Sequence, residues 1–333
     1  MKNVLLTGIG NALVDIEFSV QEDELASFEV PKGTMSLTDP DRQAELLAKL
    51  KHHESRQCSG GSVANSVIAF AQFGGKAGFM SVLGNDNLGA FYADEFHQLD
   101  INIRASKLEG VATGSCIVLI TPDAERTLNT TLGANLSYTR RMIDEELIKR
   151  SEWVLLEGYK LTEDDGAEAL DLAAFTARKH NTRVAVSCSD KFIIDVFGDQ
   201  LKSVLRNADM IFCNELEAGT LAHEEVAEDA FRSLKSTYGN VALTRGTNGS
   251  LVHWFGNEAV IPAYAVATID TTGAGDMYAG AFLYGALHKY SVEHAGRLAS
   301  YSSAQVVAQY GARLKQNHIE VRDTVLQHST VNE

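Results

Sequence analysis

Apolar positions along the chain fall into two rhythms. Short runs rich in β-branched residues alternate with longer stretches whose apolar residues recur every three to four positions. The short runs predict strands over 3–8, 77–83, 153–157, 183–187, 210–213, 240–244 and 250–254. Several are apolar throughout, as strands are when both faces of a sheet are covered. The longer rhythm predicts helices over 41–52, 62–73, 87–99, 165–179, 227–237 and 273–288. Strand–helix–strand alternation of this kind builds a doubly wound, mostly parallel α/β sheet.

Two stretches break the rhythm. Over 15–37, Ile16, Phe18 and Val20 alternate with polar residues. Within 101–129, residues 115–121 are nearly continuous in β-formers. Both read as extra strands. They are expected to meet in space as a small β-lid beside the main sheet. With no repeat and no low-complexity linker, residues 1–333 read as one domain carrying that lid.

Composition narrows the function. The 333 residues amount to roughly two folding units at about 150 residues each, or one large α/β unit with an appendage. Apolar residues make up 45%, enough for a sizeable core. The net charge of −15 argues against a broad nucleic-acid or anionic-membrane surface. A phosphate-bearing ligand would therefore need a local device to hold it. No apolar run reaches the ~18 residues of a membrane span. The opening segment is interrupted by Gly8, Gly10 and Asp15, so no signal peptide is expected. Cys58, Cys116, Cys188 and Cys213 lie far apart with no CxxC pair, which fits a reduced, cytosolic protein.

Several motifs fail. The run from Gly8 to Leu13 starts like a dinucleotide fingerprint but has Leu13 where the third glycine belongs. Gly75-Lys76-Ala77 lacks the Ser or Thr of a P-loop. Neither a G-x-S-x-G elbow nor an H-E-x-x-H helix occurs.

One motif holds. Asp270-Thr271-Thr272-Gly273-Ala274-Gly275-Asp276 leads into an apolar helix. Small residues let the backbone turn tightly and approach a ligand. The amides of Gly273, Ala274 and Gly275 are expected unpaired at a helix N-terminus, where oriented donors and the helix dipole attract an anion. Asp276, expected ionised in the first turn, could take a proton from a hydroxyl attacking a bound phosphate; a structural turn with a capping Asp is the competing reading. Gly60-Gly61-Ser62 precedes a second helix, with Asn65 one turn in and placed to meet a ligand. Asp15 follows the first strand at its carboxyl end, where open α/β sheets bind ligands. Asn214 and Glu217 follow a later strand and could orient a hydrated Mg²⁺, although Asn214 could equally cap the next helix. The glycine-rich turn from Thr244 through Gly246 to Gly249 could touch nucleotide phosphate or ribose, or serve as a plain hairpin.

Taken in order, GGSVANS, NELE, TRGTNGS and DTTGAGDMYAGAFL resemble the ribokinase/PfkB family of carbohydrate and nucleoside kinases over nearly the whole chain. Within that family GNALVD, VPKGTMSL, ATGSCIVLITPDAERTL and GYKLT are most similar to adenosine kinases. The resemblance implies a Rossmann-like core with a β-lid, ATP and Mg²⁺ as cosubstrate and cofactor, and K⁺ near Asp270 as in many relatives. It implies Asp276 as catalytic base and Gly273, Ala274 and Gly275 as an anion hole, with Arg126 reaching the transferred phosphate. Asn11, Asp15, Gly60, Gly61 and Asn65 would hold sugar hydroxyls, and Tyr159 could stack on a purine. Asn214 and Glu217 would organise Mg²⁺ through water. Thr244, Gly246 and Gly249 would line the ATP site. The implied partner is a small nucleoside or sugar, and the chain would be a monomer or homodimer. Phosphorylation of a ribose 5′-hydroxyl is the leading expectation. A sugar kinase for ribose, fructose or ketodeoxygluconate is the alternative, followed by a non-catalytic sensor.

Overall fold

The computed structural model describes residues 2–123 and 125–327; the outermost residues of the expected 1–333 domain lie outside that range. In chain order the strands are β1 (Val4–Ile9), β2 (Leu13–Ser19), β3 (Met35–Leu37), β4 (Ser55–Gly60), β5 (Ala77–Gly84), β6 (Asn102–Leu108), β7 (Gly114–Ile120), β8 (Arg126–Thr131), β9 (Ser151–Glu157), β10 (Arg183–Ser187), β11 (Met210–Asn214), β12 (Val241–Thr244), β13 (Ser250–Trp254) and β14 (Asn257–Ile261). Nine form one sheet in the order β14-β13-β12-β11-β10-β9-β1-β5-β6. It is parallel from β6 to β12, and β13 and β14 add an antiparallel edge. All seven strands expected from the apolar runs lie in it.

The pleat explains why these strands are apolar throughout. In β9, Trp153 and Leu155 face one apolar layer while Val154 and Leu156 face the other. The first layer is covered by the helices Ser62–Gln72, Ala274–Leu287 and Val292–Val307, the second by Gly166–Lys179 and Lys191–Leu205. Helix Ala274–Leu287 is buried over almost its whole length, as its uniformly apolar and small residues dictate. Lys191–Leu205, Glu215–Ala222 and Val292–Val307 are helices for which the sequence reading named no element.

The chain leaves β1 in two directions: β5 and β6 pair on one side, β9 and its successors on the other. The strand order therefore reverses between β1 and β9, and the carboxyl ends there form the crevice where such sheets take ligands.

The second sheet has five strands, β3-β8-β7-β2-β4. Two parts of the expected lid differ from the pattern, and one strand outside the expected segments joins it. Residues 102–108 run as β6, parallel to β5, so that part of the 101–129 stretch closes the large sheet. Within 15–37, Glu22–Ser27 is a short helix, because Glu22, Asp23 and Glu24 supply an acidic first turn and Gln21 a capping box. The stretch before Gly61 is a strand, β4, antiparallel to β2. All four cysteines are free thiols, and among the described residues no helix is long and apolar enough to cross a membrane.

Candidate active site

A cavity of about 430 Å³ opens at the carboxyl ends of β1, β9, β11 and β12 and is bounded on its other side by the small sheet. That volume suits a small organic ligand. Two helix starts converge on it. Helix Ser62–Gln72 begins after Gly61, whose φ of 107° and close approach to the Asn11 carbonyl require glycine. Helix Ala274–Leu287 begins after Gly273, at φ 75°. The two helices pack closely because Gly280 lies against the Ser66 carbonyl; a Cβ there would sit 2.3 Å from that oxygen.

This packing builds the central carboxylate. Asp276, in the first turn of its helix, accepts from the Ser62 hydroxyl at 2.6 Å and from the Asn65 amide at 3.1 Å, one bond on each oxygen. Burial pushes its carboxyl up to about 6, with Ser62 and Asn65 pulling it back down. The sequence reading had Asp276 simply ionised; the structure places its titration near the pH range where a general base works best. Asn65, expected to meet a ligand, spends its amide on Asp276, because the shared helix packing brings residue 65 to within reach.

The anion hole is narrower than its sequence suggested. The Ala274 amide donates to the Thr271 carbonyl at 3.2 Å, since the bend closes a turn on itself. The Gly273 and Gly275 amides have no such bond among the described residues, and both glycines line the cavity.

Asp15 sits on β2, in the small sheet, and also lines the cavity. Gly60 pairs opposite Leu13 in β4, and a Cβ at that glycine would lie 2.8 Å from a carboxylate oxygen of Asp15. Gly60 thus makes room for the acid and is not itself a cavity residue. Burial pushes Asp15 up to about 6; the positive charges of Arg126 and Arg313 oppose the rise.

Arg126 does not reach the cavity wall. It is buried on β8 and spans Glu17 at 3.1 Å and Asp270 at 3.2 Å. Two carboxylates fix it there. Asp270 in turn accepts from the Thr272 and Gly311 amides at 2.9 and 3.0 Å. The Arg126 guanidinium is thus a cation already held beside Asp270, where the sequence led us to expect K⁺.

At the carboxyl end of β11, Asn214 caps helix Glu215–Ala222 in a reciprocal box with Glu217. Glu217 is buried, and burial pushes it up to about 7 against the pull of the Asn214 amide. Each of its oxygens receives one hydrogen bond from Asn214, at 3.0 and 2.6 Å. A carboxylate has about four lone-pair sites, so both oxygens can still accept from water. Among the described residues no group of three or more His, Cys, Asp or Glu could cage a metal. A Mg²⁺ that keeps its waters and leans on ligand phosphates fits this wall; a dehydrated ion does not. Thr244 lines the cavity. Gly246 and Gly249 lie in the turn between β12 and β13, outside the wall; Gly249 is required by its approach to the Ile261 carbonyl.

Ser62 and Glu157 are wall residues that the sequence reading did not single out. Ser62 was seen only as part of a helix start. Glu157 ends the otherwise apolar strand β9 and is 1% exposed. Its Oε2 accepts from the Val63 amide at 3.0 Å and the Asn11 amide at 3.3 Å, and burial pushes it up to about 7. A carboxylate at the carboxyl end of a buried parallel strand was the available signal. Asn11 and Tyr159 line the same cavity, as expected for ligand contacts.

Comparison with known proteins agrees with this geometry. The chain is 27% identical over 277 residues to the ribokinase of Haemophilus influenzae, covering 80% of this chain and 86% of that protein. It is 24% identical over 330 residues to adenosine kinase 2 of Arabidopsis thaliana, covering 92% and 94%. Among solved structures, the adenosine kinase of Sinorhizobium meliloti superposes with a TM-score of 0.86 at 27% identity, over 96% of this chain and 99% of that one. The pfkB family carbohydrate kinase pattern matches residues 35–319. The chain therefore belongs to the pfkB family of carbohydrate kinases and is a phosphotransferase acting on a sugar or nucleoside hydroxyl.

Proposed function

We propose that this kinase transfers the γ-phosphoryl group of ATP to the 5′-hydroxyl of a ribonucleoside, with adenosine the leading acceptor. The observation that carries this reading is the division of one cavity into a polar and an apolar end. Asp15, Asn11, Glu157 and Asp276 supply hydroxyl-binding groups. Leu13, Met35, Leu37, Leu128 and Leu132 supply an apolar wall beside them. A ribose with a flat base attached suits both ends. A free sugar would leave hydroxyls facing aliphatic side chains, and unpaired polar groups are costly. Tyr159, half-buried in the wall, offers a ring face to a base.

In the mechanism, Asp276 accepts the proton of the 5′-hydroxyl as that oxygen attacks the γ-phosphorus in line and the bond from that phosphorus to the β-phosphate oxygen breaks, releasing ADP. The Gly273 and Gly275 amides face the charge that builds on the transferring group. Asp15 accepts from ribose hydroxyls and fixes the pose, supplying the orientation that makes the reaction effectively unimolecular. Asn214 and Glu217 would hold a hydrated Mg²⁺ through its waters, and the ion would supply neutralising charge to the phosphates. Arg126, paired with Asp270 and acting on Asp15 through its charge, sets the local potential from outside the wall.

The test is a panel of acceptors, each with ATP and Mg²⁺, followed by ADP release: adenosine, inosine, cytidine, ribose, fructose and ketodeoxygluconate. Ribonucleosides should turn over with kcat/KM at least tenfold above any free sugar. Preference for a free sugar would replace the nucleoside reading with the sugar-kinase one.

A further inference from the structure

Lys160 is a lysine with no solvent exposure, one turn beyond the cavity wall. Its ammonium donates to Glu163 Oε1 at 2.6 Å and to Asn11 Oδ1 at 3.3 Å, and lies 3.9 Å from the centre of the Tyr138 ring. A charge held this deep must be closely paired, because an unpaired one costs several kcal/mol. None of the chemistry proposed above uses it.

Its consequence lies in Asn11. An ammonium has only donors, so the Asn11 side-chain atom facing it has to be the oxygen. That fixes the amide, and its Nδ2 is left without a partner among the described residues, on a residue that lines the cavity. Beside it, Glu157 spends Oε2 on the Asn11 and Val63 amides, while Oε1 has no partner among the described residues. The cavity floor therefore presents one donor next to one acceptor. A hydroxyl, which both donates and accepts, satisfies the pair; a C–H leaves both unmet.

We propose that Lys160 is a positioning residue that makes the floor of the acceptor site select a hydroxyl, through its hold on the Asn11 amide and its charge facing Glu157. The selection rests on the kinase reading above and sharpens it: ribo-configured acceptors are taken and the matching deoxy acceptors refused. Sites that hydrogen-bond a hydroxyl can reject its absence by factors of about 10⁴–10⁵, because buried groups are left unpaired. Without Lys160 the amide is free to turn, and Glu157 loses its attracting charge while Asp276 and Glu163 still repel it. Tyr92 and Tyr159, the other titratable neighbours of Glu157, are neutral at the pH of assay.

The experiment compares wild type, Lys160→Met and the double variant Lys160→Met/Glu163→Gln, which leaves no orphaned partner charge and guards against failure to fold. Acceptor binding is measured by calorimetry without ATP, and steady-state kinetics are run on each ribo/deoxy acceptor pair from pH 5.5 to 8.5. A folded variant should bind the ribo acceptor at least tenfold more weakly, lose at least tenfold in ribo-over-deoxy selectivity, and keep the KM for ATP within about threefold. The midpoint of the acceptor-KM pH profile, set by Glu157 near 7 in the wild type, should move upward in Lys160→Met, and less far in the double variant, which also removes the repulsion from Glu163. Unchanged selectivity and an unmoved midpoint in a variant that merely melts earlier would make Lys160 structural and overturn the proposal. A wild type that phosphorylates only free sugars would instead overturn the nucleoside reading, and the same variants on that sugar would still decide the role of Lys160.

Discussion

The two sides of the cavity are built in opposite ways. The side formed by the large sheet is assembled from short contiguous segments at strand ends and helix starts: 273–276, 61–65, 214–217. Its polar groups are locked to each other, Asp276 to Ser62 and Asn65, Glu217 to Asn214. The side formed by the small sheet comes from strands far apart in the chain, and its cavity-facing groups are largely aliphatic. Met35 and Leu37 on its edge strand are 55% and 59% exposed. The difference teaches where each property of a kinase resides. Phosphoryl chemistry needs groups held to a fraction of an ångström, which local backbone geometry provides. Acceptor choice needs a shaped wall, which long-range pairing provides and which a few exposed side chains can alter.

The sharpest way to break that comparison is at Asp276. Asp276→Asn keeps the shape and one acceptor atom for Ser62 but removes the base. We expect kcat to fall by about 10²–10⁴, the usual contribution of general-base catalysis, while acceptor binding by calorimetry stays within a few-fold. Full turnover in a coupled ADP-release assay would take Asp276 out of that role.

A pH series separates the same carboxylate's chemistry from its stability. Asp276 must be deprotonated to act, so kcat/KM, which reports the ligand-free enzyme, should fall at least tenfold per pH unit below about 6. The stability effect has the opposite sign. Asp276 and Asp15 titrate near 6 in the fold, and Glu157 and Glu217 near 7, all above their ordinary values. The folded state therefore binds more protons than the unfolded chain between those values and about 4. These groups stabilise the ligand-free protein as pH falls from 7.5 to 5 and lose that contribution as pH rises. The melting temperature should climb over the interval in which kcat/KM drops. A parallel decline of both would mean that the acid limb is unfolding, and the buried-base account would be lost.

How much of this was legible beforehand follows from the same contrast. The bend at Gly273 and the acid after it could be read because a helix start needs only five or six neighbouring residues to declare itself. The central strands could be read because burial on both faces leaves them apolar. The role of Arg126 could not: its place near the phosphate was inherited from resemblance, and what holds it is a pair of carboxylates, Glu17 and Asp270, more than 100 residues away on either side. Residues 102–108 alternate like a lid strand, yet their backbone finds β5 first. Asn65 reads as a ligand contact and does line the cavity, but its hold on Asp276, 211 residues distant and brought in by the tight fit at Gly280, was not legible. Glu157 was passed over because a single charged residue after an apolar strand carries no period, and Lys160 because GYKLT marked it only as part of a resemblance, with its partners Asn11 and Glu163 out of view. What escaped the sequence is what depends on two distant segments touching.

The smallest expected effect tests the apolar side. Leu37→Ser removes an aliphatic group that is already mostly in water, so the melting temperature should barely move; such surface changes usually stay within about 0.5 kcal/mol. If a nucleobase packs on this wall, the acceptor loses one partly buried contact, and KM for the nucleoside should rise roughly three- to tenfold, or about 1 kcal/mol. The kcat at saturation should hold, because the contact is the same in ground and transition states. A free sugar, bound only at the polar end among Asp15, Asn11 and Asp276, should show no change in KM. The ratio of the two shifts is therefore more telling than either alone. Equal shifts for nucleoside and sugar would mean that Leu37 acts by moving the small sheet as a whole, carrying Asp15 with it, and the division of the cavity into a chemical side and a selecting side would no longer stand.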